Sequence, residues 1–313
     1  MLNCPDPIYR PHLTEIGAEY VHNNIDRYKI GAIAPVCNVD YQSAQFPMFH
    51  TSEFRSVDDD SRADGAVYNQ IQTSFGKGSY ATEDKGLEIP IDRRQTKIHA
   101  KIFNLETAQT KLLITRLQNA YLKRVQNAYK NLNITATTTD WQNKSSAAVV
   151  TVISKQIQEL ATGCNCPVSE ITLIIPRNIY NYMMGCAEFN ELYRATYCVG
   201  DGIQPATLPE ANVAAIFGVR KVFVPNWTSN NIFVALLAQP HDSMNEPSLL
   251  RNFSWVESDV PAENFDKDGV LCPVISSYDD IKRKSLVIRG SYDHCICVTA
   301  NPNDLGKKIT VTI

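Results

Sequence analysis

The stretch from Phe46 to Gln95 most constrains what this 313-residue chain can fold into. Its second part, GSYATEDKGLEIPIDRRQ at Gly78–Gln95, carries seven charges and few apolar anchors. Gly86 and Pro90 interrupt any helix there. Its middle, SVDDDSRADGAVYNQ, holds Asp58, Asp59, Asp60 and Asp64, whose mutual repulsion favours solvent. A compact domain rarely tolerates so long a run without a core of its own. The return part alternates weakly through Tyr80, Thr82, Leu87, Ile89 and Ile91, so the run reads as a two-stranded excursion with a solvated tip. An isolated hairpin is marginal in water, and limbs of about 20 residues would reach roughly 60 Å. Such an arm needs support from outside the monomer. Deleting Tyr68–Glu88 should then spare the fold of the remainder.

The rest of the chain reads as an ordinary globular protein. Hydrophobic residues make up 44% and charged residues 20%, close to the globular average, so a core can form and global disorder is excluded. A net charge of -3 gives no whole-chain nucleic-acid footprint. The N-terminal MLNCPDPIYRPHL has no basic region followed by an apolar run. The longest apolar runs, ITLII and IFVALLA, fall far short of the ~18 residues of a membrane helix. A cytoplasmic protein with no membrane partner is expected.

No catalytic, metal or cofactor site is expected either. G-x-S-x-G, H-E-x-x-H and Walker A patterns are absent; FGKGS lacks the upstream glycine and the G-K-[ST] order. DDDSRADG lacks the alternating ligands and terminal Glu of a calcium loop. Nine cysteines, an odd number, argue against a disulfide framework. Cys164/Cys166 and Cys295/Cys297 form two C-x-C pairs, one residue shorter than the usual zinc spacing, and read as small buried side chains. In a strand His294 would face away from Cys295 and Cys297. The reading from a different class is a soluble α/β enzyme with a Cys-rich metal site.

Along the chain, residues 1–12 read as an extended arm, followed by a helix through Leu13, Ile16 and Tyr20 that stops before Gly31. The clearest helix spans Leu105 to Asn131, with Asn104 as N-cap. Ile114, Leu117, Tyr121, Val125, Ala128 and Leu132 recur on one face. Lys111, Arg116, Lys123, Arg124 and Lys130 form its outer face, which either contacts phosphates or is simply solvated. Ser145 or Ser146 caps a further helix that ends at Gly163. Compact α/β structure follows. The strand-rich end comprises GVLCPVIS, KSLVIRG, DHCICVTA and KKITVTI.

Five phrases carry a family resemblance in their order and spacing: IGAIAPVCNVDYQSAQFPMF, YATEDKGLEIPIDRRQ, WQNKSSAAVVTVISKQIQ, LIIPRNIYNYM and VAAIFGVRKVFVP. Over nearly its whole length the chain resembles the major capsid proteins of tailed double-stranded DNA bacteriophages, which have the Hong Kong 97-type fold. The resemblance implies an α+β fold in four parts. These are an N-terminal arm with its helix over 1–43, an extended β-hairpin or E-loop over 44–96, a peripheral domain with a long spine helix over 97–139 and 279–313, and an axial α/β domain over 140–278.

The resemblance also implies a structural subunit without enzymatic activity. Pentamers and hexamers of it would build an icosahedral shell around double-stranded DNA, assembled in the host cytoplasm and retained in the virion. Scaffold, portal and decoration proteins are further implied partners. Asp58, Asp59, Asp60, Lys77, Tyr80, Glu83, Asp84 and Lys85 would contact a neighbouring subunit. Lys111, Arg116, Lys123, Arg124 and Lys130 are the candidates to face DNA. Some members cross-link an E-loop lysine to an asparagine; Lys77 and Lys85, with Asn301 and Asn303, occupy corresponding regions, but no glutamate matches. The chain departs from members that begin with a long helical scaffolding segment. Encapsulins, bacterial shells that hold cargo enzymes, resemble it in size and form the alternative within the same fold.

Overall fold

The computed structural model describes residues 7–48, 60–61, 67–68, 70, 76–99, 101–197, 208–241, 244, 246–256 and 263–313. Strand β1 (Ile8–Tyr9) leads into α1 (Pro11–Asn23), α2 (Ile25–Tyr28) and a 3-10 turn at Lys29–Ile33. Strands β2 (Val36–Val39), β3 (Ser43–Met48), β4 (Gly76–Ala81) and β5 (Glu83–Asp92) follow. Then come α3 (Arg93–His99), α4 (Leu105–Lys130), β6 (Ala136–Asp140) and α5 (Val149–Cys164). After a 3-10 turn at Val168–Glu170 the chain forms β7 (Ile171–Ile174), α6 (Arg177–Met183), α7 (Ala187–Tyr197), α8 (Glu210–Phe217), β8 (Lys221–Phe223) and β9 (Asn231–Leu236). It closes with β10 (Leu250–Trp255), β11 (Val274–Asp280), β12 (Ser285–Val298), α9 (Pro302–Leu305) and β13 (Gly306–Thr312).

Two sheets organise the body. One orders its strands β1-β11-β12-β10-β2, with β5 on the other edge of β12. The second runs β6-β13-β9-β7-β8. These sheets divide the chain differently from the expected boundaries. β10 and β11, expected in the axial part, lie in the first sheet beside β12. β13, expected in the peripheral part, pairs with β9 and β6 in the second sheet. The reason is cross-strand burial: Ile309 stands opposite Ile232 of β9 and both are fully buried, a partnership invisible in either segment alone. KSLVIRG and DHCICVTA are one 14-residue strand rather than two. Gly290 between them is there for packing, since a Cβ would sit 2.7 Å from Leu117 Cδ1.

The 26-residue α4 is the spine on which the first sheet packs. Asn104 caps it, accepting from the Thr107 amide at 3.3 Å. Leu113, Ile114, Leu117, Tyr121, Val125 and Tyr129 are buried along one stripe. Tyr121 donates to the Gly31 carbonyl (3.3 Å) and accepts from Asn252 (3.3 Å), while Tyr129 donates to the Ile33 carbonyl (2.8 Å). Gly31 is required by contact, since a Cβ there would lie 2.7 Å from the Tyr121 ring. The turn expected to end the first helix thus carries the carbonyls that satisfy two buried tyrosines.

His294 packs between the rings of Tyr121 and Tyr292 and pairs with the Asn252 side-chain oxygen at 3.0 Å. Burial, with Arg124 and Lys85 nearby, pushes its pKa down to about 3. The unfolded chain therefore binds a proton that the folded chain refuses. This contribution to stability is whole above about 6.5 and is lost as pH falls from there toward about 3. Urea unfolding of the native chain and of His294→Gln should diverge with pH: the native chain should lose about 1.4 kcal/mol per pH unit more than the variant between pH 6 and 4. Parallel pH profiles would refute a neutral buried histidine.

Helix α5 departs from its expected cap. Neither Ser145 nor Ser146 serves; the Glu188 carboxylate of α7 accepts from the Val150 amide (2.8 Å), the Thr151 amide (3.1 Å) and the Thr151 hydroxyl. The helix ends at Cys164, with Asn165 in the left-handed region (φ 51), rather than at Gly163. Glu188→Ala removes both the cap and a negative charge at a helix N-terminus, and should cost about 1–2 kcal/mol in chemical denaturation.

Candidate assembly surface

The excursion after residue 42 is rooted more deeply than its composition suggests. β3 and β4 pair over six residues, from Ser43 opposite Ala81 to Met48 opposite Gly76. At the root Tyr80 stacks on Phe253 (4.4 Å, 17°) and donates to the Tyr41 carbonyl at 3.1 Å. Phe46 packs on the same Phe253 ring at 5.1 Å. Cys37, Phe46, Tyr80 and Phe253 form a small buried cluster of their own, with Val39, Ala44, Met48, Met244 and Cys297 around it. Phe253 lies on β10, a strand the sequence reading passed over. LLRNFSWV, with its aromatic and apolar residues, was the signal for it.

The return limb is not a free arm. Every residue of β5 pairs with β12, from Glu83 opposite His294 to Asp92 opposite Ser285. Arg289 fixes this register by donating twice to the Glu88 carboxylate, at 2.8 and 2.7 Å, and Tyr278 donates to its other oxygen at 3.1 Å. The expectation of two 20-residue limbs reaching some 60 Å is therefore corrected. Ile91 is buried and Ile89 half-buried, while Glu88, Pro90 and Asp92 between and beside them are exposed, which is the pattern of a strand lying with one face on its own body at this end.

The residues expected to meet a neighbour separate accordingly. Asp58 and Asp59 lie outside the described residues. Asp60 and Lys77 are exposed. Tyr80 is 5% exposed and spent within its own chain. Glu83 and Lys85 form an ion pair with one another, and this holds the Glu83 carboxyl below its usual range. Asp84 stands opposite Asp293. Asn301 caps α9, and Asn303 binds the Thr135 amide (2.8 Å) and the Asn133 carbonyl (3.3 Å), so both asparagines hold a local turn.

On the spine helix Lys111, Arg116, Lys123 and Lys130 are exposed. Lys111 reaches over the Tyr20 ring at 5.7 Å. Arg124 differs from them: it turns to the sheet, donates to the Tyr292 hydroxyl and lies 5.5 Å over that ring. Its long stem and planar head fill the gap between α4 and β12.

A cleft of about 730 Å³ opens between α2, α6 and α8. Lys29, Arg177, Tyr180, Glu210, Arg220 and Asp268 line it, and Lys29 is held by Glu210 (3.0 Å) and Asp26 (3.1 Å). Neither histidine nor cysteine is among its described lining residues. Among the described residues no three His, Cys, Asp or Glu side chains converge as a metal cage, and no helix is long and apolar enough to cross a membrane. Cys295 and Cys297 share a face, their sulfurs 3.4 Å apart, while His294 is turned to the spine helix.

No protein-family profile and no curated protein matches the sequence. Solved structures do match. A phage-related protein from Bordetella bronchiseptica aligns over 98% of both chains at 14% identity and a TM-score of 0.68. The capsid of cyanophage P-SCSP1u aligns over 90% of this chain and 86% of that one, at 10% identity and a TM-score of 0.56. A virus-like particle from Pyrococcus furiosus aligns over 95% and 97%, at 12% identity and a TM-score of 0.52. The chain has the α+β, Hong Kong 97-type fold that its sequence phrases resemble.

Proposed function

We propose that this chain is the structural subunit of an icosahedral shell that encloses a double-stranded DNA phage genome. The observation that carries the reading is the end-to-end likeness to a phage-related protein, 98% of each chain at a TM-score of 0.68. The likeness to a cyanophage capsid supports it independently. Copies of the chain would meet one another through the segment beyond Met48 and Gly76, through the N-terminal arm and through the α7–α8 end of the second sheet. Repetition of such heterologous contacts closes a shell. The peripheral part is then the first sheet with α4, and the axial part the second sheet with α5 to α8. In this reading the subunit performs no catalysis, and the 730 Å³ cleft is a seam between the two parts.

The shell would form in the host cytoplasm and remain in the virion. Lys111, Arg116, Lys123 and Lys130 are the residues we assign to the DNA side; Arg124 leaves that set because the sheet occupies it. Scaffold, portal and decoration proteins are the further partners of such a shell. Size exclusion and negative-stain electron microscopy of the expressed chain test the reading. Closed shells, or rings of five and six, are the expected result. Nucleic acid retained inside separates a genome container from an encapsulin, which would hold protein cargo. A chain that stays monomeric under crowding and binds a stoichiometric metal would overturn the shell reading in favour of an enzyme.

A further inference from the structure

The cluster at the hairpin root is rich in sulfur. Cys37, Phe253 and Cys295 are direct cross-strand neighbours on β2, β10 and β12, so they share one face. Cys297 follows two residues on along that face, opposite Arg251. Both Cys295 and Cys297 are half-buried, and their sulfurs approach to 3.4 Å. We propose that Cys295 and Cys297 are a redox-active dithiol, open to thiol–disulfide exchange, that governs how firmly the β3–β4 hairpin is seated on the body. This inference concerns the folded subunit alone and stands apart from the shell reading.

The two thiols are chemically unequal, as exchange requires. The hydrogen bond from Cys297 pulls the Cys295 pKa down to about 6, and the Ala81 backbone amide at the end of β4 adds to this. The same contact and burial push the Cys297 thiol up. Of the two, Cys295 has the greater thiolate character, so it is the attacking group. Cys166 of the other C-x-C pair is pushed up by burial, and Cys164 donates to the Asp304 carbonyl at 3.3 Å, so that pair is not poised in this way.

The oxidant is a disulfide such as oxidised glutathione. The Cys295 thiolate attacks one of its sulfurs, forming a mixed disulfide and releasing one glutathione thiolate. Cys297 then gives its proton to solvent and attacks the Cys295 sulfur, releasing the second glutathione thiolate. Two electrons pass from the protein sulfurs to one glutathione disulfide, which becomes two glutathiones. Bond formation draws the sulfurs from 3.4 Å to about 2.05 Å. Residues two apart on a strand sit roughly 6.7 Å apart at Cα, at the upper end of what a disulfide spans. Such bonds belong to the labile, readily reduced class. Closing the bond discharges the Cys295 thiolate and draws its sulfur away from the Ala81 amide, which loosens the root of the hairpin.

The test is a glutathione redox titration of the intact chain, followed by alkylation and mapping of the peptide Gly290–Lys307, which contains both cysteines. The expected result is a peptide lighter by two hydrogens that dithiothreitol restores, formed before Cys164 and Cys166 react. Amide exchange at Ala81 and Thr82 should then speed up roughly fivefold, the factor that one net hydrogen bond is worth. Cys297→Ser should hold one glutathione on Cys295, and Cys295→Ser should stay unmodified there. A peptide of unchanged mass, two glutathiones on the native peptide, or earlier oxidation of Cys164/Cys166 would each overturn the proposal, whether or not the variants fold. Unchanged exchange at Ala81 in the oxidised chain would overturn its effect on the hairpin.

Discussion

Replacing residues 49–75 with an Asn-Gly turn will leave a folded chain that no longer forms shells. Met48 stands directly opposite Gly76, so a two-residue turn closes the β3–β4 ladder without changing its register. The cut keeps Phe46 and Tyr80 on Phe253 and all of β5 on β12, which are the contacts that fasten the excursion to its own body. Thermal unfolding by circular dichroism should shift by no more than about 2–4 °C, the span of a 1 kcal/mol change in a domain of 150–250 residues. Electron microscopy should show no closed particles. Normal shells from this variant would refute an interlocking role for the segment. The wider deletion of Tyr68–Glu88, which the sequence suggested would be tolerated, is now expected to unfold the chain. It removes Tyr80, all of β4 and the first six residues of β5.

Tyr121→Ala should be among the most damaging single substitutions in the body. The side chain is fully buried, lies against Phe265 (5.4 Å) and His294 (5.5 Å), and bridges the Gly31 carbonyl to Asn252. Truncation opens a cavity between the spine helix and the first sheet and leaves two polar groups without a partner, at a cost of about 3–5 kcal/mol. That is a large share of the ~5–15 kcal/mol that holds a typical domain together. Tyr121→Phe keeps the volume and loses only the hydroxyl bridge, so about 1–2 kcal/mol is expected. Urea midpoints of the three chains give both numbers. A Phe variant as damaged as the Ala variant would mean that the hydroxyl, not the packing, ties helix to sheet.

What the sequence made legible follows from the range of the interactions involved. The spine helix was readable to within a residue because its stripe and its Asn104 cap are local. The cap of α5 was not readable, because its acceptor, Glu188, lies 38 residues away from Val150. β5 was mistaken for a free limb because its outward residues are charged and its partner, β12, is some two hundred residues further on. β10 was missed although LRNFSW has strand character, and with it went the seat of the hairpin. Of the candidate surface residues, Lys77, Lys111, Arg116, Lys123 and Lys130 are exposed. Tyr80 and Arg124 are claimed by neighbours that only the folded chain brings near.

The long strand β12 has a mechanical consequence. One of its edges carries β11 and then β10, and the other carries all ten residues of β5. A tug on the hairpin along the direction of β5 loads that ladder in shear, so its bonds must yield together rather than open one after another. Force entering at Ala81 would then spread along β12 into the spine helix through Leu117 at Gly290 and Arg124 at Tyr292. The excursion is thus anchored as a rope is anchored by a long splice, and strain arising at its outer end would reach the middle of the subunit before it could peel the root away.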